Sequence, residues 1–300
     1  MGKTIKQLYE EHKGKVSDQW SLYLDEWDRL FDPYRDKQIR LLEIGIQNGG
    51  SLEIWGKYLA KAEKIVGCDL DKKCEQLRYD DPRISVVVGD ANSDDCQARV
   101  LQQSAAFDIV VDDGSHQSSD IVRSFARYFP HLNDGGIYVA EDLHCSYWQY
   151  FEGGLCNPHS SVAFFKRLAD VVNYEHWRNN KPRKHLVKEF MAHFGVDFDD
   201  HDLARIHSIE VVNSLCIIKK LSPEKNVIGK RIIVGTEECV TSGLHKFNST
   251  SIQDISAEIR DDEQLDVFEL EENVSMLTHS LADRDGQIAT LKQVVADRDV

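Results

Sequence analysis

The sequence predicts an α/β fold built on a doubly wound, largely parallel sheet, and three observations predict it. From residue 39 onward, short β-branched runs alternate with stretches of helical periodicity, as they do when crossover helices link parallel strands. The runs end in glycines or acidic residues, and an open parallel sheet gathers its ligands along that edge. Two later apolar runs are separated only by Asn213, so an antiparallel hairpin is expected to close the sheet.

Taken in order, IRLLEIG (39–45) reads as the first strand and SLEIWGKYLA (51–60) as the helix behind it. KIVGCDL (64–70) and RISVVVGD (83–90) give the second and third strands, DIVVDD (108–113) and GIYVAED (136–142) the fourth and fifth. IVRSFARYFPHL (121–132) carries its apolar groups at helical spacing and lies between those two. ARIHSIEVV (204–212) and SLCIIKKL (214–221) form the hairpin, which makes seven strands. Residues 39–221 are therefore expected to be one domain, with residues 143–203 inserted at the functional edge, where such segments cover substrates. Residues 1–38 read as a separate helical segment, and its aromatics, Trp20, Tyr23, Trp27, Phe31 and Tyr34, read as packing groups rather than ligand contacts.

Residues 222–261 read as a linker. From Val267, apolar residues fall at 267, 270, 274, 277, 281, 288, 291 and 295, a 3-4 spacing interrupted at Arg284. ADRD recurs at 282–285 and 296–299, two heptads apart. The expectation is a parallel coiled coil over residues 262–300, and with it a homo-oligomer, rather than an amphipathic helix packed on its own domain. The pattern is still running at Val300, which points to a longer natural protein.

A formal charge of −15 argues against nucleic acid and against an anionic membrane, both of which demand a basic surface. The opening MGKTIKQLYEEHKGK lacks the apolar core of a signal peptide, and no run approaches the roughly 20 apolar residues of a membrane span. The cytoplasm is the expected location. Seven cysteines, odd in number and without a CxxC pair, suggest neither a disulfide framework nor a zinc site.

Chemistry concentrates at the fourth and fifth strand ends. IVVDDGSH supplies Asp112, Asp113 and His116, and IYVAEDLH supplies Glu141 and Asp142. Carboxylates brought together in a cleft repel unless a cation or a proton sits between them, so the residues ask for a hard divalent ion with oxygen ligands. Asp113, Glu141 and Asp142 are the candidate ligands, and Asp112 is given the supporting part at the strand-end turn. His116, three residues beyond Asp113, is placed to act as a base, and His144 is an alternative to Asp142 as a ligand.

A second constellation lies on the first three strands. Glu43-Ile44-Gly45-Ile46-Gln47-Asn48-Gly49-Gly50-Ser51 leads into a helix, and its glycines permit the tight turn and close backbone approach that an adenosine-type ligand needs. Gln47 stands where the dinucleotide fingerprint has its second glycine, and no Gly-Lys-Ser/Thr follows for a P-loop. Asp69 ends the second strand, placed to accept ribose hydroxyls, and Asp90 ends the third, placed to meet an adenine amino group. A glycine turn or a lone acid can be structural, but three successive strand ends carry the signal together. The candidate cofactor-binding residues are Glu43, Gly45, Gln47, Gly49, Ser51, Asp69, Asp90 and Asp112.

Glu43-x-Gly45-x-x-x-Gly49 followed by Asp69 and Asp90 resembles the S-adenosylmethionine pocket of class I methyltransferases, with Gln47 in place of one customary glycine. LLEIGIQNGGSLEIW, VVDDGSH and YVAEDLHCSYW further resemble the metal-dependent O-methyltransferases of macrolide sugars, the mycinamicin type, over roughly residues 10–220. The wider group includes cephalosporin-biosynthesis methyltransferase-like proteins and bacterial polysaccharide-modifying enzymes. The resemblance implies a Rossmann-like methyltransferase sheet, S-adenosylmethionine and Mg²⁺ as cofactors, Asp113, Glu141 and Asp142 on the metal, and His116 as base. The family's N-terminal Thr-Asp-Lys stands here as Ser17-Asp18-Gln19.

The implied activity is Mg²⁺-dependent methyl transfer to a sugar hydroxyl, on an O-antigen-like polysaccharide or a glycosylated natural product. Tyr147 and Trp148 would then be a sugar-stacking wall or core. The basic run from Arg178 to His185 would be an anion contact or a solvated helix face. Glycosyltransferase domains beyond residue 300 would suit a polysaccharide enzyme. The rivals are a catechol-type O-methyltransferase and a catalytically silent module serving oligomerisation. A nicotinamide dehydrogenase is opposed by Gln47.

Overall fold

The computed structural model describes residues 2–177, 181–252, 254 and 284. It divides into Met1–Val227 and Ile228–Val300. The expected coiled coil, at residues 262–300, lies outside the described residues apart from Arg284. Within the second unit, residues 228–252 form little regular structure beyond one bridge between Lys230 and Ser251 and a short 3-10 turn, Leu244–Phe247.

The first unit opens with two helices, α1 (Ile5–Glu10) and α2 (Ser21–Phe31). A reciprocal capping box between Thr4 and Gln7 starts α1. The sheet and its crossovers follow: β1 (Arg40–Ile44), α3 (Gly50–Tyr58), β2 (Lys64–Asp69), β3 (Ile84–Val88), α4 (Asp94–Gln103), β4 (Phe107–Asp112), α5 (Ser118–Tyr128) and β5 (Leu132–Ala140). Helices α6 (Ser161–Val172), α7 (Lys188–Phe194) and α8 (Asp200–Leu203) occupy the insertion, and the hairpin β6 (Ile206–Val212) and β7 (Leu215–Lys220) ends the unit. The strand order is β3-β2-β1-β4-β5-β7-β6, with β7 antiparallel to both neighbours and the other pairings parallel. The expected seven-stranded sheet with its antiparallel hairpin is thus the sheet observed. Its order reverses between β1 and β4, and clefts open at such switch points beyond the carboxyl ends of the strands.

Register decides what meets there. Ile44 lies opposite Asp112, and Asp112 opposite Ala140. The next residues, Gly45, Asp113 and Glu141, therefore leave the sheet side by side. Asp113 donates its N–H to Ile44 O (2.8 Å) and Glu141 its own to Asp112 O (2.9 Å).

Side-chain alternation splits the core in two. One face collects Leu41, Ile109, Val111, Ile137 and Val139 under the aromatics Trp27, Phe31 and Trp55 from α2 and α3, whose rings meet at 5.0–5.6 Å. On the other, Phe125 of α5 meets Tyr138 of β5 and Phe164 of α6. Wholly buried Lys220 donates Nζ to the carbonyls of Phe129 (2.8 Å) and Pro130 (2.9 Å), just past the end of α5. Burial, and then Arg205, push its ammonium down to about 8 against the pull of Asp202.

Three boundaries differ from the sequence expectation. Helix α4 was not foreseen, because its periodic face buries only Cys96 and Val100; the legible signal was its start, where Ser93 Oγ accepts Cys96 N–H (3.2 Å) ahead of Asp94 and Asp95. Strand β5 begins at Leu132 rather than Gly136, bending at Gly135, whose φ is +86°. Helix α5 begins at Ser118 and gives way after Tyr128 to a 3-10 turn containing Pro130, short of the expected end at residue 132.

Two stability predictions follow from these contacts. A Cβ on Gly45, whose φ is +84°, would stand 1.9 Å from Asp113 O, whereas one on Gly135 would meet nothing. Gly45→Ala should lower the urea midpoint by the equivalent of about 3 kcal/mol or more, and Gly135→Ala by only about 1–2 kcal/mol; equal losses would refute the close approach of β1 and β4. As for Lys220, below pH 8 it is charged both folded and unfolded, and the fold bears the whole desolvation cost. Between about 8 and the ordinary 10.5 only the unfolded chain keeps that proton, so the penalty fades as pH rises. Wild type should gain stability over Lys220→Met across that window, and a difference that stays constant with pH would count against it.

Candidate functional site

The carboxyl ends of β1 to β5 line a cleft of about 810 Å³, to which the segment Val16 to Trp20 contributes one wall. Of the sequence-predicted residues, Glu43, Gly45, Gln47, Ser51, Asp69, Asp90, Asp112, Asp113, His116, Glu141 and Asp142 all border it. Gly49 does not. It is the left-handed N-cap of α3 (φ +78°), where a Cβ would run into Tyr79 Oη at 2.0 Å, so its need for glycine is structural.

At the β1–β3 end the loop is held by the acids expected to hold ligand. Asp69 Oδ2 accepts the N–H groups of Ile46 (2.9 Å) and Gln47 (2.8 Å), and Oδ1 that of Asp71 (2.8 Å). This fixes Gln47 at φ +48°, a conformation a glycine would take more readily. Asp90 accepts Asn92 N–H (2.9 Å) and is exposed at the cleft. Glu43 points toward α3, where its Oε2 accepts from Ser51 Oγ (2.9 Å) and Trp55 Nε1 (3.1 Å). Burial pushes its carboxyl up to about 8 despite those bonds. Glu43 and Ser51 thus spend their polar atoms on one another.

Asp112 leaves β4 on the α5 side and accepts Tyr138 Oη (2.8 Å), with burial raising its carboxyl to about 7. Asp113 comes next, at the level of Glu141. Burial, then Glu43 and Asp142, hold its carboxyl well above the usual range. Glu141 is driven the same way by burial and by Asp113, is 1% exposed, and leaves Oε1 with no hydrogen-bond partner. Its Oε2 accepts Gln19 Nε2 (3.2 Å). Asp142 is left-handed (φ +53°), and its Oδ1 accepts from Trp20 Nε1 (3.0 Å) and Tyr23 Oη (2.9 Å). His116, also left-handed (φ +58°), sets Nε2 3.7 Å from Asp142 Oδ2. Burial lowers its pKa, which keeps the imidazole available as a proton acceptor.

Asp113, His116 and Asp142 each offer a ligand atom within 4.8 Å of the others. Among the described residues no lysine or arginine pairs with Asp113, Glu141 or Asp142. Neighbouring carboxylate oxygens without a basic partner, one of them buried and unpartnered, are the donor set that suits a hard divalent cation, while an imidazole suits it less and is left for the proton. The residues present therefore fit the metal that the sequence pattern implies.

Other expectations resolve by position. His144 Nδ1 meets Ser214 Oγ at 2.6 Å and stands 3.9 Å from Asp142 Oδ1, a neighbour of the carboxylate rather than its replacement. Tyr147 and Trp148 are 44% and 52% exposed, which removes the core reading. In the basic run Arg183 pairs with Asp200 (3.6 Å) and lies over Tyr174, while residues 178–180 are outside the described residues. Tyr23, Trp27, Phe31 and Tyr34 pack as expected, although the Tyr23 hydroxyl also binds Asp142; Trp20 is 58% exposed and does not fit the packing expectation, its indole nitrogen binding Asp142 instead. No spacing signals a contact across 119 to 122 residues of chain.

Comparison with known proteins agrees with this arrangement. The family model described as a methyltransferase domain matches residues 42–143. The chain is 36% identical over 178 residues to the 8-demethyl-8-alpha-L-rhamnosyl tetracenomycin-C 2'-O-methyltransferase of Streptomyces olivaceus, covering 56% of this chain and 46% of that one. It is 35% identical over 164 residues to the mycinamicin VI 2''-O-methyltransferase of Micromonospora griseorubida, covering 51% and 40%. The chain thus spans under half the length of these relatives. A mycinamycin-pathway methyltransferase solved with Mg, SAH and mycinamycin VI superimposes with a TM-score of 0.55 at 28% identity, over 69% of this chain and 51% of that one. Residues 42–143 are a methyltransferase domain, in a chain similar to the O-methyltransferases that act on macrolide and other natural-product sugars.

Proposed function

We propose that the chain transfers a methyl group from S-adenosylmethionine to a sugar hydroxyl with the help of Mg²⁺. The observation that carries the proposal is the cluster of Asp113, His116 and Asp142, with buried Glu141 next in the chain and its Oε1 unpartnered, at the end of a cleft whose other end is the Gly45 loop with Asp69 and Asp90. Names of relatives support the acceptor class, since those with 36% and 35% identity are sugar 2'- and 2''-O-methyltransferases. No helix of the described residues is long and apolar enough to cross a membrane.

In this reading Asp113, Glu141 and Asp142 hold the cation, and the left-handed turn at Asp142 directs Oδ2 toward His116. Asp69 keeps the Gly45–Gln47 loop in shape beside the donor, with Asp90 at the adenine end. Bound there, the donor supplies the methyl group and the cation stabilises negative charge developing on the acceptor oxygen. His116 Nε2 takes the hydroxyl proton, and its depressed pKa leaves it unprotonated to do so near neutral pH. Half-exposed Tyr147 and Trp148, the latter with its ring 5.0 Å from that of His144, offer ring faces to a sugar. The acceptor sugar sits on a glycosylated natural product or a bacterial polysaccharide, and the heptad spacing of residues 267–295 supports assembly of several copies.

Mass spectrometry of a sugar-acceptor panel with S-adenosylmethionine tests the reading as a whole. EDTA should abolish transfer and added Mg²⁺ restore it; undiminished activity in chelator would sink the metal-assisted reading. His116→Ala should lower kcat by roughly a hundredfold or more while leaving S-adenosylmethionine binding intact by calorimetry. Asp113→Asn should instead raise the Mg²⁺ concentration needed for half-maximal rate, and a variant that saturates at the wild-type concentration would remove Asp113 from the ligands.

A further inference from the structure

The segment from Gln19 to Tyr23 lies far from the acidic strand ends in sequence, yet its polar side chains meet them. Gln19 has a forced orientation. The indole Nε1 of fully buried Trp27 can only donate, and it does so to Gln19 Oε1 (3.2 Å), so the Gln19 amide nitrogen must face Glu141 Oε2 (3.2 Å). Tyr23 Oη accepts Asp142 N–H (3.3 Å) and points its own hydrogen toward Asp142 Oδ1 (2.9 Å), with Ser214 O at 3.2 Å as the alternative acceptor. Trp20 Nε1 adds a second donor to Oδ1 at 3.0 Å.

The outcome is a division within each carboxyl group. One oxygen of Glu141 and one of Asp142 are taken by neutral donors. The partner oxygens, Glu141 Oε1 and Asp142 Oδ2, are left for the site, the first wholly unpartnered and the second facing His116. Neutral donors accomplish this without cancelling the charge of either carboxylate.

We infer that Gln19, Trp20 and Tyr23 are positioning residues of the metal site, holding one oxygen of Glu141 and of Asp142 so that Glu141 Oε1 and Asp142 Oδ2 are presented to a divalent cation. The inference rests on the metal reading proposed above. Partners of this kind fix the rotamer of a ligand and raise its affinity for the ion, and their removal typically costs about 10–100-fold in metal binding.

The test is a titration of the full chain with Mn²⁺, following free Mn²⁺ by electron paramagnetic resonance in the absence of any acceptor. Gln19→Ala and Tyr23→Phe should each raise the Kd by about tenfold or more. Urea midpoints report folding separately, and Trp20→Phe supplies a third variant, expected to shift the Kd in the same direction, should one of the others fail to fold. Tight binding by wild type with unchanged Kd in the folded variants would overturn the positioning role. No binding by wild type would instead overturn the metal reading, and the positioning role with it.

Discussion

Asp113, Glu141 and Asp142 are gathered at the ends of two adjacent strands, where burial and the neighbouring carboxylates disfavour the charged forms of Asp113 and Glu141. No basic side chain among the described residues relieves them. An arrangement of this kind lowers the stability of the empty fold, because each carboxylate loses hydration without gaining a counter-charge. The surrounding structure is organised to bear that cost: a parallel register beneath, the Trp20 indole and the buried Tyr23 phenol to one side, and left-handed backbone at His116 and Asp142.

The sheet sorts five acids, Glu43, Asp112, Asp113, Glu141 and Asp142, that end three adjacent strands. Strand alternation sends Glu43 toward α3 and Asp112 toward α5, and each finds hydroxyl or indole donors there. All five border the cleft, but Glu43 and Asp112 are satisfied on opposite faces, which leaves Asp113 and the Glu141-Asp142 pair as the candidate ligands. Desolvation outweighs those donors and leaves Glu43 and Asp112 with carboxyls raised to about 8 and about 7, which limits how much negative charge accumulates around the cleft.

Much of this was legible in the sequence for a plain physical reason. Strand–helix alternation and strand-end chemistry are local signals, so β1 to β5, the hairpin, and the grouping of Asp113, His116, Glu141 and Asp142 on one edge could all be read from runs of a few residues. Helix α4 escaped because little of its surface is buried. Gly49 was credited to the ligand because a glycine required by a neighbouring Tyr79 looks the same, in sequence, as one required by a phosphate or adenosine. Trp20 and Tyr23 were read as packing because their aromatic bodies dominate any pattern, while the partners of their polar atoms are set by tertiary structure alone. Ser214, with its hydroxyl on His144 and its carbonyl near Tyr23, carried no signal at all.

The turn at Ser214 also bears on how the cleft edge is held. It joins the last two strands, β6 and β7, and touches both the N-terminal helix α2, through Tyr23, and the loop after β5, through His144 and Leu143. The β7 strand slots between β5 and β6, so its pairing spans the whole insertion. Contacts of such long sequence separation carry a large loop-closure cost. The edge of the cleft around Asp142 therefore hangs on a turn whose own place depends on β7 pairing with β5, so anything that loosens that pairing reaches the acidic cluster through Tyr23, Leu143 and His144.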